Sequence, residues 1–483
     1  MQILIFSMTP LFADQIMGGA QKQLYAVATH LAGQGHQVTI LCTQREPDAT
    51  QPFRWHANAQ VIPVFRFKQP YPEPYATPIY HIANAIQELG EYLAAADVYY
   101  AHDGGFIFPY VYQTVPTVFS LRSIIFAETL QSAFLFQGDE LILISEYQRD
   151  VISNTVGRFF PALAGRTHVI YNGLDFDTFH PTPPNDLLAQ IPGVDPAQHD
   201  IVLFPHRPEE AKGILQTIDV ARRLVYKHGL SNLRVLVPRW IESALSPDDK
   251  AFYAEVQRQL QAYGLVDHFV FHPWISQTQI PQYYTLGDVT LAIGSYVETF
   301  GNVPYESLAC GTPAIVARVG PARELLPEEL IHKVDFGDTE KTAALAADII
   351  QHKRRTSPQT MAYLKRHFDR EDMVSAYADI ILNARKRNPM PYVHTPLGRK
   401  TPFIPAPWVY ASDDSRLYHD LNGAYQQERS LLALYAHLST AGEGLTANSH
   451  FGDNADEAQW KQWLEWYRDG WIVPVQGQDK ETS

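Results

Sequence analysis

Cysteine is almost missing: Cys42 and Cys310 are the only two in 483 residues. Two thiols in apolar contexts, "TILC" and "SLAC", support neither a disulfide framework nor a cysteine metal site, and each reads as a small hydrophobe. Positive charge is short as well. The 38 Lys and Arg stand against 52 Asp and Glu, for a net charge of -14, which removes the positive footprint a general nucleic-acid binder needs. The opening "MQILIFSMTPLF" has neither the basic flank of a secretion signal nor the length of a membrane span. It reads as a first strand, so a cytoplasmic location is the expectation. Internal repeats at solenoid spacing and low-complexity tracts are also absent.

What is present describes an ordinary globular chain, 46% hydrophobic and 19% charged, but one longer than a single core usually serves, so two domains with additional structure are expected. "ILIF" (3 to 6) is a short apolar run suited to a buried parallel strand. After Gly18-Gly19, residues Ala20, Leu24, Val27, Ala28 and Leu31 recur at helical spacing, and "QVTILC" (37 to 42) follows as a second strand. This βαβ unit is the signature of a doubly wound parallel sheet. The alternation continues through "ADVYYAH", "VPTVFSL" and "DELILIS", with Ser145 and Gln148 spaced as a capping box for the next helix. The Pro-rich stretch 181–198 reads as a linker.

A second alternating set begins at "IVLFPH" (201 to 206) and runs through "LRVLVP", "HFVFH" and "VTLAI". The expected architecture is α/β, with two Rossmann-like domains facing a cleft: 1–178, then 199–372, a helix over 373–394 returning towards the first domain, and a helical extension over 395–483. In that extension Trp460, Trp463, Leu464 and Tyr467 fall on one stripe, read as a packing face because Asp456, Glu457 and Glu465 oppose anionic lipid. Ligands of such sheets lie beyond the carboxyl ends of the strands, so the loops after strands hold the candidate chemistry.

The loop from Ser7 to Gly19 lacks G-x-G-x-x-G, and the second strand ends in Cys42-Thr43-Gln44 with no acidic residue for a ribose, which argues against a dinucleotide site. Gly18 and Gly19 ahead of a helix either let backbone N–H groups approach an anion or simply make a turn. After strand 201–206, "RPEEAKG" places Arg207 and Lys212 at a strand end, as a guanidinium fork and a point charge for phosphate oxygens or as solvated cations. In "VETFGNVPYESLACGTPAIV", Asn302 is expected to cap a helix whose exposed amides at Gly301, Asn302 and Val303 form an anion site. Glu306 then complements the helix dipole or accepts hydrogen bonds from two vicinal ribose hydroxyls. Glu298, in the preceding loop, is placed to accept from sugar hydroxyls.

Taken together, "FPHRPEEAKGI", "YNGLDFDTF" and the run from "FHPWISQTQI" through "VGPARELL" resemble the family 4 retaining glycosyltransferases of GT-B fold. Glu298 and Glu306 match that family's E-x7-E element, and Arg207 and Lys212 its diphosphate pair. The resemblance implies a metal-independent hexosyltransferase without a cofactor, using a nucleotide-diphosphate sugar as donor and a saccharide, lipid or small molecule as acceptor. Under it Glu306 holds the nucleotide ribose; Glu298 with the amides of Gly301 to Val303 holds the transferred sugar and distal phosphate; and Arg207 with Lys212 holds the diphosphate. Two departures stand out. Where the family often has a histidine, this chain reads Ser120-Leu121-Arg122, and Arg122 cannot act as a base. His102 either compensates or is a structural loop histidine. A usual glycine pair is replaced by Gly320-Pro321. The aromatic stretch 71–80 is a candidate acceptor groove. Alternative readings are a GT-B phosphorylase or epimerase, and a silent carbohydrate-binding protein.

Overall fold

The computed structural model describes every residue except 14–17, 46–50, 69–76, 185, 240–245, 413, 453 and 476–483. Most of the aromatic stretch 71–80 therefore lies outside the described residues. Two units are distinguished: Met1–Ile170 with Val374–Ser483, and Tyr171–Met373.

The first unit is built on an eight-stranded sheet of order β3-β4-β2-β1-β5-β6-β7-β8. Its strands are β1 (Gln2–Ser7), β2 (Gln37–Thr43), β3 (Phe53–His56), β4 (Ala59–Phe65), β5 (Val98–His102), β6 (Thr117–Leu121), β7 (Glu140–Leu143) and β8 (Thr167–Val169). All neighbours pair in parallel except β3 with β4. Every residue of β5, β6 and β7 is buried, which is why these strands read as unbroken apolar runs: a parallel sheet is covered on both faces. The hairpin β3–β4 is an addition to the sequence reading. β4 alternates between buried and half-buried positions, as a strand near a sheet edge does.

Ser145 caps helix Glu146–Asn154, its side chain accepting from the Gln148 N–H. Gln148 does not close a capping box, however. Its Oε1 accepts from Ile144 N–H and its Nε2 donates to the Leu121 carbonyl, so the side chain links the ends of β7 and β6.

The segment after helix Arg370–Asn383 is fastened to the first unit by a buried carboxylate. Asp139, with no exposed surface, accepts from Thr117 N–H at 2.7 Å, Lys386 Nζ at 3.0 Å and Arg387 N–H at 2.5 Å. The expectation of a helical extension over 395–483 is corrected. Three antiparallel strands, Val409–Ala411, Leu417–His419 and Ala424–Gln426, and a pair, Phe403–Pro405 with Ile472–Pro474, accompany helices Arg429–Leu438, Ala447–Phe451 and Glu457–Arg468. The stripe packs in part as expected: Trp463 is buried with Phe403, Leu434 and Ile472, and Trp460 and Tyr467 pack against that cluster, while Leu464 is not among its members and Trp466, outside the expected stripe, is the other buried residue of the helix.

The second unit holds a six-stranded, all-parallel sheet of order β11-β10-β9-β12-β13-β14. These strands are β9 (Asp200–Leu203), β10 (Leu233–Pro238), β11 (Phe269–His272), β12 (Val289–Ala292), β13 (Ala314–Ala317) and β14 (His332–Val334). β9 and β12 are adjacent, so the loops leaving their carboxyl ends are neighbours.

Candidate active site

Two glycines bring those loops together. A Cβ on Gly294 would lie 2.2 Å from the Ala211 carbonyl oxygen, and one on Gly213, at φ +91°, would lie 2.8 Å from Gly294 Cα. Only backbones without side chains pass at this separation, and Tyr296 N–H donates to the Ala211 carbonyl at 2.8 Å across the join. Lys212 is thereby set over the second loop. Its Nζ stands 2.6 Å from Glu298 Oε1 and 3.5 Å from the centroid of the Tyr296 ring. Lys212 is 15% exposed and Glu298 43%, so the carboxylate reaches solvent while the ammonium is partly sheltered. Arg207, in the same loop, is 43% exposed and pairs through Nε with Glu209 at 3.0 Å.

The helix after Glu298 starts one residue earlier than expected. Gly301, in the left-handed region at φ +79°, is the N-cap, with no side chain capping the helix, and Asn302–Ala309 is helical. The correction has a physical cause: the cap conformation belongs to glycine, while the Asn302 Oδ1 is used to accept from Asn172 Nδ2 at 3.0 Å. The first-turn amides have no intrahelical acceptor, and Gly301, Asn302, Val303 and Pro304 border a pocket together with Glu298 and His206. Its volume is about 100 Å³, below the roughly 300–1,000 Å³ of sites for whole small molecules, so within this unit it admits a phosphate or a single sugar ring. Pro321, the second residue of the Gly320-Pro321 pair that replaces the usual glycines, lines the same pocket, as does Ala322.

Glu306 is buried in the second turn and accepts from the Tyr284 hydroxyl at 3.1 Å. Burial and the neighbouring Glu306 carboxylate push the Tyr284 phenol well above its ordinary range, so it stays a donor. His206 was not singled out from the sequence. It follows β9, borders the pocket, and is pushed down to about 3 by burial and by Lys212, leaving a neutral imidazole beside a cation. The only signal for it was its place two residues past the last apolar residue of "IVLF".

In the first unit Gly18 and Gly19 open helix Gly18–Gly33, Gly18 at φ +77°, so the pair forms a helix start. His102 ends β5 and is 3% exposed. Its Nδ1 accepts from the Tyr100 hydroxyl at 2.7 Å, and its Nε2, in the tautomer this network assigns, donates to the Ala20 carbonyl at 2.8 Å. Burial, and then Arg122, hold it well below its usual range. Both ring nitrogens are committed and the ring is neutral, which fits the second of the two alternatives for His102, a structural histidine: it ties β5 to the first turn of that helix. Arg122, 9% exposed, donates from Nη1 to the Tyr377 hydroxyl at 3.1 Å. Beside it Asp103 adopts φ +58°, and burial, opposed by Arg122, raises its carboxyl. Lys212, Glu298 and Gly301 to Val303 are thus gathered at one site, with Glu306 on the same helix and Arg207 on the Lys212 loop; His102 and Arg122 sit at adjacent strand ends of the other unit.

Known proteins match along both halves. Residues 17–178 match the family profile described as Glycosyltransferase Family 4, and residues 193–360 that of Glycosyl transferases group 1. A D-inositol 3-phosphate glycosyltransferase of Xylanimonas cellulosilytica is 28% identical over 247 residues, 48% of this chain and 55% of that protein. Spore coat protein SA of Bacillus subtilis is 24% identical over 227 residues, 45% and 56% of the two chains. The chain thus spans about half the length of the curated relatives it matches. Among solved structures, sucrose-phosphate synthase from Thermosynechococcus elongatus superposes with a TM-score of 0.63 at 18% identity, covering 78% of this chain and 98% of that one. Anabaena HepE in complex with UDP-glucose gives 0.60 at 19% identity, covering 79% and 99%.

Proposed function

Because the chain belongs to the family 4 glycosyltransferases of GT-B fold, we propose that it moves a sugar from a nucleotide-diphosphate sugar to an acceptor hydroxyl with retention of anomeric configuration. The observation that carries the proposal is the Lys212–Glu298–Tyr296 contact at the start of helix Asn302–Ala309. As the glycosidic bond breaks, negative charge grows on the departing diphosphate. An ammonium and helix-start amides already in place stabilise that charge without reorganising. Arg207, on the same loop, adds a second cation. Glu298 receives hydroxyls of the transferred sugar, and Glu306, held by Tyr284, those of the ribose. Arg122 takes an acceptor oxygen, with no part as a base; the acceptor hydroxyl's proton passes to the departing diphosphate oxygen as the new glycosidic bond forms on the face that oxygen leaves.

The charge stabilisation in this scheme comes from side chains and amides, so chelation with EDTA is expected to leave the rate unchanged. UDP-glucose is the first donor to test, because HepE was crystallised with it; the acceptor belongs to the saccharides, lipids or small polyols. Among the described residues no helix is long and apolar enough to cross a membrane, and a cytoplasmic site of action completes the proposal. The test is to incubate the purified protein with UDP-, GDP- or ADP-glucose and a panel of saccharide, polyol and lipid acceptors, follow nucleoside diphosphate release, and read the anomer of the glycoside product by proton NMR. Release with an α-configured product supports the reading. No consumption of any donor, or an inverted product, overturns it.

A further inference from the structure

A second, larger pocket lies in the first unit, away from the groups assigned above. Parallel pairing of β2 with β4 sets Thr43 opposite Phe65, so Gln44 and Arg66, the next residues of each strand, stand side by side at the carboxyl ends where ligands of such sheets gather. Helix Ile79–Leu93 faces them with His81, Asn84 and Glu88, spaced to share one helix face. The pocket these residues line together with Phe65 is about 360 Å³, within the range of about 300–1,000 Å³ for small-molecule sites.

Its chemistry is mixed by design of the lining. Gln44 is 9% exposed, and its Oε1 has no hydrogen-bond partner among the described residues, an arrangement that is uncommon for a buried amide unless a ligand or water completes it. Amides, imidazole, carboxylate and guanidinium supply donors and acceptors together. The one guanidinium is offset by the one carboxylate, which disfavours an anion, and the polar rim disfavours a purely apolar guest. We propose that this pocket binds a neutral polyhydroxylated ring, a sugar or cyclitol unit. The ligand class stands without the transferase reading; that the ring belongs to the acceptor rests on it.

The experiment is saturation-transfer NMR and calorimetry on the full chain, with maltose and myo-inositol as probes and glucose 6-phosphate against glucose as the charged contrast. Asn84 is exposed and Glu88 half-buried, so N84A and E88Q are expected to fold, which UDP binding at the wild-type affinity checks. The expected result is binding of at least one neutral probe, weakened about five-fold or more by each variant. Absence of neutral-probe binding, binding indifferent to both variants, or a preference for glucose 6-phosphate over glucose overturns the inference. A protein that consumes donor yet binds no probe rejects this site alone; one that binds a probe through Asn84 and Glu88 yet consumes no donor supports it and rejects the transferase reading.

Discussion

The Lys212 ammonium is held from two sides, by the Glu298 carboxylate at 2.6 Å and the Tyr296 ring face at 3.5 Å, before any donor arrives. A cation held over an aromatic face at a partly sheltered position is worth about 0.5–2 kcal/mol. Tyr296→Leu is therefore expected to lower donor turnover by roughly two- to thirty-fold, with Tyr296→Phe near wild type; equal losses in both would show that the hydroxyl, not the ring, matters. Lys212→Ala removes the charge itself and is expected to cost two orders of magnitude or more in turnover, the scale of a lost oxyanion-type contact of about 2.7–4 kcal/mol. At this scale the sequence was informative where partners are near in the chain or share a motif, as with Glu298 and Gly301. It left two alternatives open for His102, which is tied to the Ala20 carbonyl, 82 residues away, and it misplaced the cap at Asn302, whose side chain is taken by Asn172.

Among the elements, the crossing of the β9 and β12 loops sets the site. Gly294→Ala would drive a Cβ into the Ala211 carbonyl, and backbone cannot yield as a flexible side chain does. A destabilisation of about 1–3 kcal/mol is expected, accompanied by weaker nucleotide binding because Lys212 shifts; thermal unfolding and calorimetry on the same variant check both. The strap over residues 386–390 makes a separate prediction. Asp139→Ala leaves the buried Thr117 N–H, Lys386 and the Arg387 amide without their shared acceptor, and an orphaned buried donor costs about 1–3 kcal/mol. Early proteolysis near residue 386 would report it. The two sheets were legible because buried parallel strands print continuous apolar runs. The 395–483 region was not, since its strands are three residues long and its helix-like periodicity is stronger. Its one clear sign was Asn422-Gly423, a hairpin signal, which joins Leu417–His419 to Ala424–Gln426 with Gly423 at φ +61°.

Over the whole molecule, three histidines, His102 and His272 buried and His206 half-buried, act on stability in one direction. His102 lies well below its usual range, His206 is pushed down to about 3 and His272 to about 4, burial being the first cause in each. Folded, they stay neutral; unfolded, they take up protons below about pH 6.5. The unfolded state then binds more protons, so stability is full above about 6.5 and declines as pH falls toward 4. A urea midpoint lower at pH 5 than at pH 7.5 is the expected outcome, and equal midpoints would contradict it. The central claim, a diphosphate gripped by Lys212, Arg207 and the first-turn amides of helix Asn302–Ala309, is tested most directly by calorimetry. UDP, GDP and ADP are titrated into the wild-type chain and into the Arg207→Ala/Lys212→Ala double variant. The account predicts that the best of the three loses at least 100-fold in affinity in the variant while its nucleoside monophosphate loses far less; equal binding of the diphosphate to both proteins would contradict it.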